Sequence, residues 1–313
     1  MKGFKRDIYQ KFADNLFRSI TFLASTIILI IIISIFISLI IDAYPAIKEF
    51  GFFGFIFSTA WDPIKEVFGA ATTIYGTLIT TLLSLLFAIP VSIGIAIFIT
   101  ELCPNFLKPT FSTTIELLAA IPSIIYGMWG LFTLAPIMGE YIEPFLQNIT
   151  KNIPIINKLF EGPTRGIDIF TSGVILSIMI TPFITSIVRD TFELTPRQLK
   201  ESAYGIGATK WEVIKDVVIP YCRLGIYGSI IIAMGRALGE TMAVAFVLGN
   251  KHEIATSLFD ASATITVTLA NEFTEADSEL YLSSLFYLAL ILFTMNFVML
   301  AIAKFLLISR MKK

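Results

Sequence analysis

The sequence predicts an all-α, polytopic membrane protein with six transmembrane helices. Of its 313 residues, 56% are hydrophobic and only 15% are charged, and the mean hydropathy is +0.81. A soluble domain of ordinary composition has about 25% charged residues, because its surface faces water, whereas a surface that faces lipid excludes charge. The formal net charge of −1 provides no basic field of the kind that attracts nucleic acid.

Six apolar stretches are long enough to cross the hydrocarbon core of a bilayer, which takes about 20 helical residues. They are residues 20–41, 72–100, 113–138, 170–188, 224–248 and 282–308. The first stretch follows basic residues, as in a signal peptide. However, it is 22 residues long, whereas the apolar region of a signal peptide has about 7–15 residues. We therefore expect it to be retained as a helix.

The distribution of basic residues predicts the orientation. If the N-terminus lies in the cytoplasm, 16 of the 23 Lys and Arg residues fall in cytoplasmic segments and 6 in external loops, and Arg236 lies inside a helix. Such an excess is typical of cytoplasmic loops. The sequence therefore predicts both termini in the cytoplasm.

Three regions are expected along the chain. Residues 1–71 comprise the cytoplasmic tail, the first transmembrane helix and an aromatic external loop that suits the membrane interface. Residues 72–308 form the transmembrane domain, which includes a cytoplasmic loop at 189–223, and residues 309–313 form a cytoplasmic tail. The uncharged stretch 261–270 is expected to dip back into the membrane against other helices, which satisfy its backbone.

The cytoplasmic loop 189–223, called the coupling loop below, is too polar to span and is patterned as two short helices. Thr195 is in position to be an N-cap, with Pro196 at the first helical position and Gln198 in a capping box. We expect the first helix to run to about Tyr204.

The second helix of the loop follows a glycine-containing turn at Gly205 and Gly207. A capping box at 209–212 predicts its start, and Pro220 is expected to end it. Its apolar residues share one face at helical spacing: Trp211, Ile214, Val217 and Val218. Such a hairpin either docks a soluble protein or packs only on its own membrane domain, and the residue pattern alone leaves both interpretations open.

Several residues of this loop occupy the fixed positions of a known pattern, E-A-A-x3-G-x9-I-x-L-P. The matching positions are Glu201, Ala203, Gly207 and Pro220, and the substituted ones are Ser202, Val217 and Ile219. The substitutions keep size or apolar character, so the loop resembles that of importer permeases of ATP-binding cassette (ABC) transporters. The resemblance implies that the loop, including Trp211, forms the coupling helices that fit a cleft of the ATPase subunit.

Three further stretches resemble the phosphate-specific permeases of ABC importers, in particular the PstC type. They are residues 74–77, 121–130 and 235–243. The sister PstA type shares the Arg-x-x-Gly-Glu-Thr core of the third stretch, and residues 126–129 favour the PstC type. The resemblance implies the type I ABC importer permease fold, located in the bacterial inner membrane.

By the same resemblance, the chain is the permease subunit of an ATP-driven phosphate importer that works by alternating access. Its implied partners are a PstA-type second permease, a dimer of the ABC ATPase, an extracytoplasmic phosphate-binding protein, phosphate itself and membrane lipid.

A charged pair lies in the fifth apolar stretch. Arg236 and Glu240 are four residues apart, so a continuous helix would place them on one face. Because Arg in the middle of a membrane helix costs about 2.5–3.5 kcal/mol, the pair either cross-links helices or forms a substrate site. A guanidinium meets two phosphate oxygens at once, Glu240 would weaken that attraction enough for release, and Thr241 would donate to phosphate or to a backbone carbonyl.

A row of small residues adjoins this pair at four-residue spacing: Gly235, Gly239 and Ala243. Small residues allow close approach of another membrane helix. We therefore expect this row to contact the partner permease, with the charged row at the pore wall.

Other function classes are less well supported. The sequence contains no G-x4-G-K-[ST] loop, so ATP hydrolysis is expected in a partner and the chain is not expected to be an enzyme. Two cysteines and one histidine are too few for a metal cluster, and no metal or cofactor is predicted. The alternatives are a permease for sulfate or molybdate, or an ATP-independent channel or carrier.

Overall fold

The computed structural model describes residues 2–311, with side chains described for residues 13–153 and 156–305. Within this range the chain is built of α-helices, with four π-helical turns and no strand. The helices are α1 (Lys2–Phe50), α2 (Phe52–Phe57), α3 (Ala71–Ile97), α4 (Lys108–Ala119), α5 (Ser123–Trp129), α6 (Ala135–Ile137), α7 (Glu143–Thr150), α8 (Pro154–Leu159), α9 (Ile169–Glu193), α10 (Arg197–Gly205), α11 (Lys210–Glu212), α12 (Ile219–Leu238), α13 (Met242–Ala245), α14 (Ile265–Glu272) and α15 (Glu279–Met311). The π-helical turns are Phe98–Leu102, Gly130–Leu134, Met138–Ile142 and Val213–Val218.

Five helical segments are long and apolar enough to cross a membrane. They are Ala13–Phe50, Ala71–Leu102, Ile169–Glu193, Lys210–Leu238 and Glu279–Phe305. A bent pair, Lys108–Ala119 with Ser123–Thr150, passes the same test and makes a sixth when it is counted as one span. The number of helices predicted from hydropathy is therefore confirmed.

The third predicted span, residues 113–138, contains Pro122 and is divided there into two helices, α4 and α5. The chain turns by 87° between α4 and α5. Pro122 has non-helical backbone angles (φ −58°, ψ 136°). A proline disfavours helical geometry in the residue before it and has no N–H to continue the hydrogen-bond ladder, so α4 ends before Pro122. Across the bend, the Tyr126 hydroxyl donates to the Leu118 carbonyl at 2.9 Å, which satisfies a group freed at the end of α4.

The centre of the bundle is formed by α3, α9 and α12, which pack along one another. Small residues allow the close approach. A Cβ at Gly173 in α9 would lie 2.8 Å from Leu83 Cβ in α3. Ser92 donates to the Thr181 carbonyl at 3.1 Å, a hydrogen bond of the kind that joins membrane helices.

The first transmembrane helix packs on the last one. Buried side chains of α1, α2 and the 58–70 loop form a cluster with the start of α15, which includes Phe55 stacked on Tyr287 with 4.4 Å between ring centroids. Many apolar side chains of α1 between residues 16 and 41 are exposed, as expected for a surface that faces lipid. The division of the chain at residue 71 stays a prediction. The tail at 309–313 lies outside the described side chains.

The end of the bundle opposite the coupling loop, called the far end below, consists of residues 51–70, 139–168 and 249–278. Its segments contact each other and the start of α3. The Ile265 N–H donates to Thr77 Oγ1 at 3.0 Å, and a Cβ at Gly76 would overlap the Ala263 carbonyl oxygen. The 261–270 stretch therefore packs against α3, and α14 begins within it.

Two buried carboxyl groups meet at the far end. Asp168 is the N-cap of α9 and accepts a hydrogen bond from the Thr171 N–H at 2.8 Å. Glu143 accepts from the Gly166 N–H at 3.3 Å, and both carboxyl side chains are fully buried. Burial, with the nearby Glu143 carboxyl, raises the pKa of Asp168 from 3.8 to about 8, so Asp168 carries a proton at neutral pH.

We expect Gly76→Ala to destabilise the fold by about 1–3 kcal/mol, because the added methyl group overpacks a backbone contact. Gly94→Ala is the matched control, since it lies in the same helix with nothing within 4 Å of the added Cβ. Thermal unfolding of the purified chain in detergent should separate the two variants. Equal melting temperatures would contradict the close approach of α3 to residue 263.

We expect the stability of the chain to fall as pH rises from about 4 to about 8. In this range native Asp168 holds a proton that the unfolded chain, with the ordinary pKa of 3.8, has lost. Asp168→Asn keeps an oxygen that accepts from Thr171 but does not titrate, so its melting temperature should fall less over this range. Asp277→Asn, at an exposed position, is the control. Parallel curves for Asp168→Asn and the parent would contradict a proton held by Asp168 in the folded chain.

Candidate functional site: the coupling loop and the break after α12

The first helix of the coupling loop is present, but its start differs from the prediction. It runs from Arg197 to Gly205, close to the expected end at Tyr204. Pro196, rather than Thr195, is its N-cap, and no side chain caps it. Thr195 is buried, and its hydroxyl lies 3.2 Å from Cys222 Sγ. The threonine therefore anchors the start of the loop to α12 instead of capping α10.

The turn between the two loop helices has the geometry that its sequence predicts. Gly207 has φ +92°, a conformation that favours glycine. The capping box is present, because the Thr209 N–H donates to Glu212 Oε2 at 2.7 Å and the Glu212 N–H donates to Thr209 Oγ1 at 3.4 Å. These bonds fix the direction in which the chain leaves the turn.

Pro220 does not end the second helix, and that expectation was wrong. The chain continues from α11 through the π-helical turn Val213–Val218 into α12, so that Lys210–Leu238 forms one span. Proline is tolerated in the first turn of a helix, and the π-helical turn shifts the hydrogen-bond register just before it.

The predicted apolar face of the second helix divides into two parts. Ile214 and Val218 are buried against the bundle, whereas Trp211 is 62% exposed. Other large apolar side chains of the loop are also exposed: Leu194, Leu199, Tyr204 and Ile206. Glu201 is exposed and Ala203 is half-buried. The coupling loop therefore packs on its own domain through one part and presents an apolar surface through the other.

The predicted fifth span, residues 224–248, is broken. Helix α12 ends at Leu238, and the short helix α13 starts only at Met242. Gly239 is the C-cap, and a glycine weakens a helix by about 1 kcal/mol. The expectation that Arg236 and Glu240 share a helical face was therefore wrong, because Glu240 lies outside the helix.

The groups freed by the break are satisfied locally. The Thr266 hydroxyl donates to the Glu240 carbonyl at 2.7 Å. Glu240 Oε1 accepts from the Ala243 N–H at 3.3 Å, at the first turn of α13. The Glu240 carboxylate thus points along the chain toward α13 instead of back toward Arg236.

Glu240 and Thr241 line an open cavity of about 610 Å³ beside the break. Ser123 and Thr266 add two more hydroxyl groups to its lining. The structure therefore brings two of the three predicted pathway residues, Glu240 and Thr241, to one cavity, and Arg236 is not among the lining residues.

Arg236 lies in the last turn of α12, with its side chain exposed. The guanidinium carbon lies 5.6 Å from the centroid of the Phe183 ring, within range of a cation–π interaction. Among the side chains that the structure describes, no carboxylate lies within 4.0 Å of it.

The predicted row of small residues is not a continuous stripe. Gly235 faces Leu300 of α15, since a Cβ added at Gly235 would lie 3.5 Å from Leu300 Cδ2, and Gly239 ends the helix. Ala243 is fully buried and lies against Gly127 of α5. Gly235 and Ala243 are therefore used for packing within this chain, because the break turns the residues after Leu238 in a new direction.

Comparison with known proteins identifies the family. The family of binding-protein-dependent transport system inner membrane components matches residues 74–312. The phosphate transport system permease protein PstC of Mesorhizobium japonicum is 52% identical over 294 residues, which cover 94% of this chain and 90% of that protein. The chain belongs to the PstC family of phosphate transport permeases. The PstC protein of Haemophilus influenzae is 46% identical over 304 residues, covering 97% and 96% of the two chains.

The fold of the permease is that of a type I ABC importer permease, as its sequence predicted. A chain of the MetNI methionine ABC transporter, solved in inward-facing conformations, superposes with a TM-score of 0.57. The match covers 80% of the permease and 99% of that chain at 15% identity. The permease is therefore a multi-pass membrane protein of the ABC importer class.

Sequence reasoning missed two of the hydroxyl groups in the cavity of the permease. Ser123 follows the helix-breaking Pro122, and Thr266 lies in the uncharged stretch that was expected only to dip into the membrane. For Ser123, the available signal was a hydroxyl next to a helix-breaking proline, because freed backbone groups need such partners. Thr266 lies 26 positions from Glu240 in the sequence, so no local pattern marked it.

A far-end network of the permease was also missed, because its members are distant in sequence. Glu272 accepts hydrogen bonds from Trp61 Nε1 at 2.8 Å and the Tyr281 hydroxyl at 2.7 Å, and lies 3.0 Å from His252 Nε2. Burial alone would raise the pKa of Glu272, but the hydrogen bonds from His252, Tyr281 and Trp61 outweigh it and lower the pKa. The network joins the 58–70 loop to α14 and α15.

Proposed function

We propose that this permease forms one half of the pore of an ATP-driven importer that carries inorganic phosphate into the cytoplasm by alternating access. The observation that carries the proposal is the identity of 52% over 94% of the chain to a phosphate transport system permease. At that similarity, the substrate of the relative is the best-supported substrate here, ahead of sulfate or molybdate.

The exposed apolar surface of the coupling loop supports docking to a separate ATPase. Exposed apolar side chains concentrated in one loop, with Ile206 88% and Trp211 62% exposed, are typical of a protein contact. The sequence contains no phosphate-binding loop of its own. A dimer of the ABC ATPase would bind this surface, and closure of that dimer on ATP would move the loop.

The remaining partners follow from the class of transporter. The family name refers to binding-protein-dependent transport, which favours an extracytoplasmic phosphate-binding protein at the far end. One permease chain leaves the cavity beside the break open on one side, and a PstA-type partner would close it. This arrangement puts both termini of the permease in the cytoplasm and the chain in the bacterial inner membrane.

Arg236 supports a phosphate path along the end of α12. Its exposed charge costs free energy within an apolar segment unless a group from outside the chain compensates it. A guanidinium binds two phosphate oxygens through parallel hydrogen bonds. Glu240, held at the start of α13, leaves the guanidinium accessible while its negative charge in the adjoining cavity keeps anion binding weak enough for release. Thr241 would donate to the same substrate.

We expect Arg236→Gln to reduce phosphate uptake by about tenfold or more, because the neutral amide replaces a charge-assisted pair of hydrogen bonds. The complex should still assemble and hydrolyse ATP. The matched control is Arg223→Gln, an exposed arginine on the same helix, with expected uptake within about twofold of the parent. Radiolabelled phosphate uptake in a strain without its own importer provides the measurement, and parental uptake in Arg236→Gln would remove the proposed site.

We expect Gly207→Ala to weaken coupling between ATP hydrolysis and uptake, because a side chain at φ +92° costs about 1 kcal/mol or more and tilts the turn. Gly205→Ala is the control, since neither glycine has an atom within 4 Å of an added Cβ and only Gly207 has a positive φ. Phosphate transported per ATP hydrolysed in proteoliposomes should fall for Gly207→Ala alone. Equal ratios for both variants would argue that the loop only packs on its own domain.

A further inference from the structure

An ion pair attaches the first coupling helix to the end of α3. Lys200 Nζ of α10 contacts Glu101 Oε1, which lies in the π-helical turn Phe98–Leu102 that continues α3. The two residues are 99 positions apart in the sequence. Helix α10 buries none of its own residues, and among the described side chains this is its one side-chain hydrogen bond to another part of the bundle.

This pair differs from the surface ion pairs of the chain. The Lys200 and Glu101 side chains are 21% and 10% exposed, whereas those of Lys251 and Glu253 are 56% and 68% exposed. Exposed pairs contribute little to stability because water and salt screen them. Removal of one partner from a largely buried pair leaves an uncompensated charge, so single substitutions at this pair are costly.

Helix α3 extends from this pair to the far end of the bundle. Residues Ala71–Leu102 form one continuous helical segment of 32 residues, which corresponds to roughly 48 Å at 1.5 Å per residue. At its other end, Thr77 accepts a hydrogen bond from the Ile265 N–H at 3.0 Å. Gly76 there approaches the Ala263 carbonyl without room for a side chain.

The segment that contacts α3 also holds the break after α12. Thr266 follows Ile265 directly, and its hydroxyl donates to the Glu240 carbonyl at 2.7 Å. Thr266 and Glu240 both line the cavity. A continuous set of contacts therefore runs from α10 through the Lys200–Glu101 pair and along α3 to the cavity at the break.

We propose that Lys200 and Glu101 are positioning residues that join the coupling loop to α3, so that movement of α10 displaces α3 and with it the Thr266 contact at the cavity. This inference rests on the proposed function, because it requires that an ATPase moves the loop. In this proposal α3 transmits the movement of the coupling loop to the cavity. Coupling of this kind needs a direct test, which a charge swap provides.

The test compares four forms of the complete transporter: the parent, Lys200→Glu, Glu101→Lys and the double swap. Each carries Met242→Cys as a probe, since Met242 lines the cavity and is 44% exposed. The labelling rate with a membrane-impermeant maleimide is measured with and without ATP and vanadate. The same complex without Met242→Cys gives the background from Cys103 and Cys222, which are both buried.

In each single variant we expect the nucleotide-dependent change in labelling to disappear and phosphate uptake to fall by about tenfold or more, while the ATPase still co-purifies. The double swap should restore both to within about threefold of the parent, because it re-forms the pair with reversed charges. Lys304→Glu, the same charge reversal at an exposed lysine of α15 outside the coupling loop, is the control and should keep the nucleotide-dependent change in labelling.

Two results would overturn the inference: a parental labelling change in the single variants, or no restoration in the double swap when that complex is assembled. Failure of the proposed function would give a different result. In that case the parent complex shows no phosphate uptake, whereas its labelling still reports whether α10 and the cavity are coupled.

Discussion

The structure depends on one constraint, which is that every backbone polar group inside an apolar bundle needs a hydrogen-bond partner. Where the helices continue, the hydrogen bonds within each helix supply these partners. Where they break, side chains supply them: Tyr126 donates to Leu118 at the bend after α4, and Thr266 donates to Glu240 after α12. Because each break needs a specific donor, the helices can be interrupted only at such places, and the cavity forms at one of them.

Charged side chains of the permease meet a similar requirement for partners. At the coupling-loop end, Arg189 pairs with Glu116 at 2.9 Å and with Asp190 at 2.7 Å, and Lys200 pairs with Glu101. At the far end, Glu272 receives hydrogen bonds from three elements, and Asp168 keeps a proton. Arg236 differs from these groups, since no carboxylate among the described side chains lies within 4.0 Å of it and its guanidinium lies over the Phe183 ring.

Sequence reasoning succeeded for features set by a single segment. Apolar length predicts the six spans, the box at Thr209 and Glu212 predicts a helix start, and Gly207 predicts a turn with positive φ. It failed where a contact with another segment or an unforeseen helix break intervenes. Thr195 has the chemistry of an N-cap, but burial against Cys222 uses its hydroxyl. Arg236 and Glu240 have the spacing of one helical face, but Gly239 ends the helix between them.

The sequence by itself determined the membrane class, the number of spans, the family and the loop that is proposed to meet the ATPase, since composition, apolar length and short motifs are local properties. Only the tertiary structure decided which residues share a site. The cavity joins Ser123, Glu240 and Thr266, and the link from Lys200 to Glu101 crosses 99 positions. Such contacts depend on how α3, α9 and α12 pack, and side-chain packing between distant segments leaves no periodic signal in the sequence.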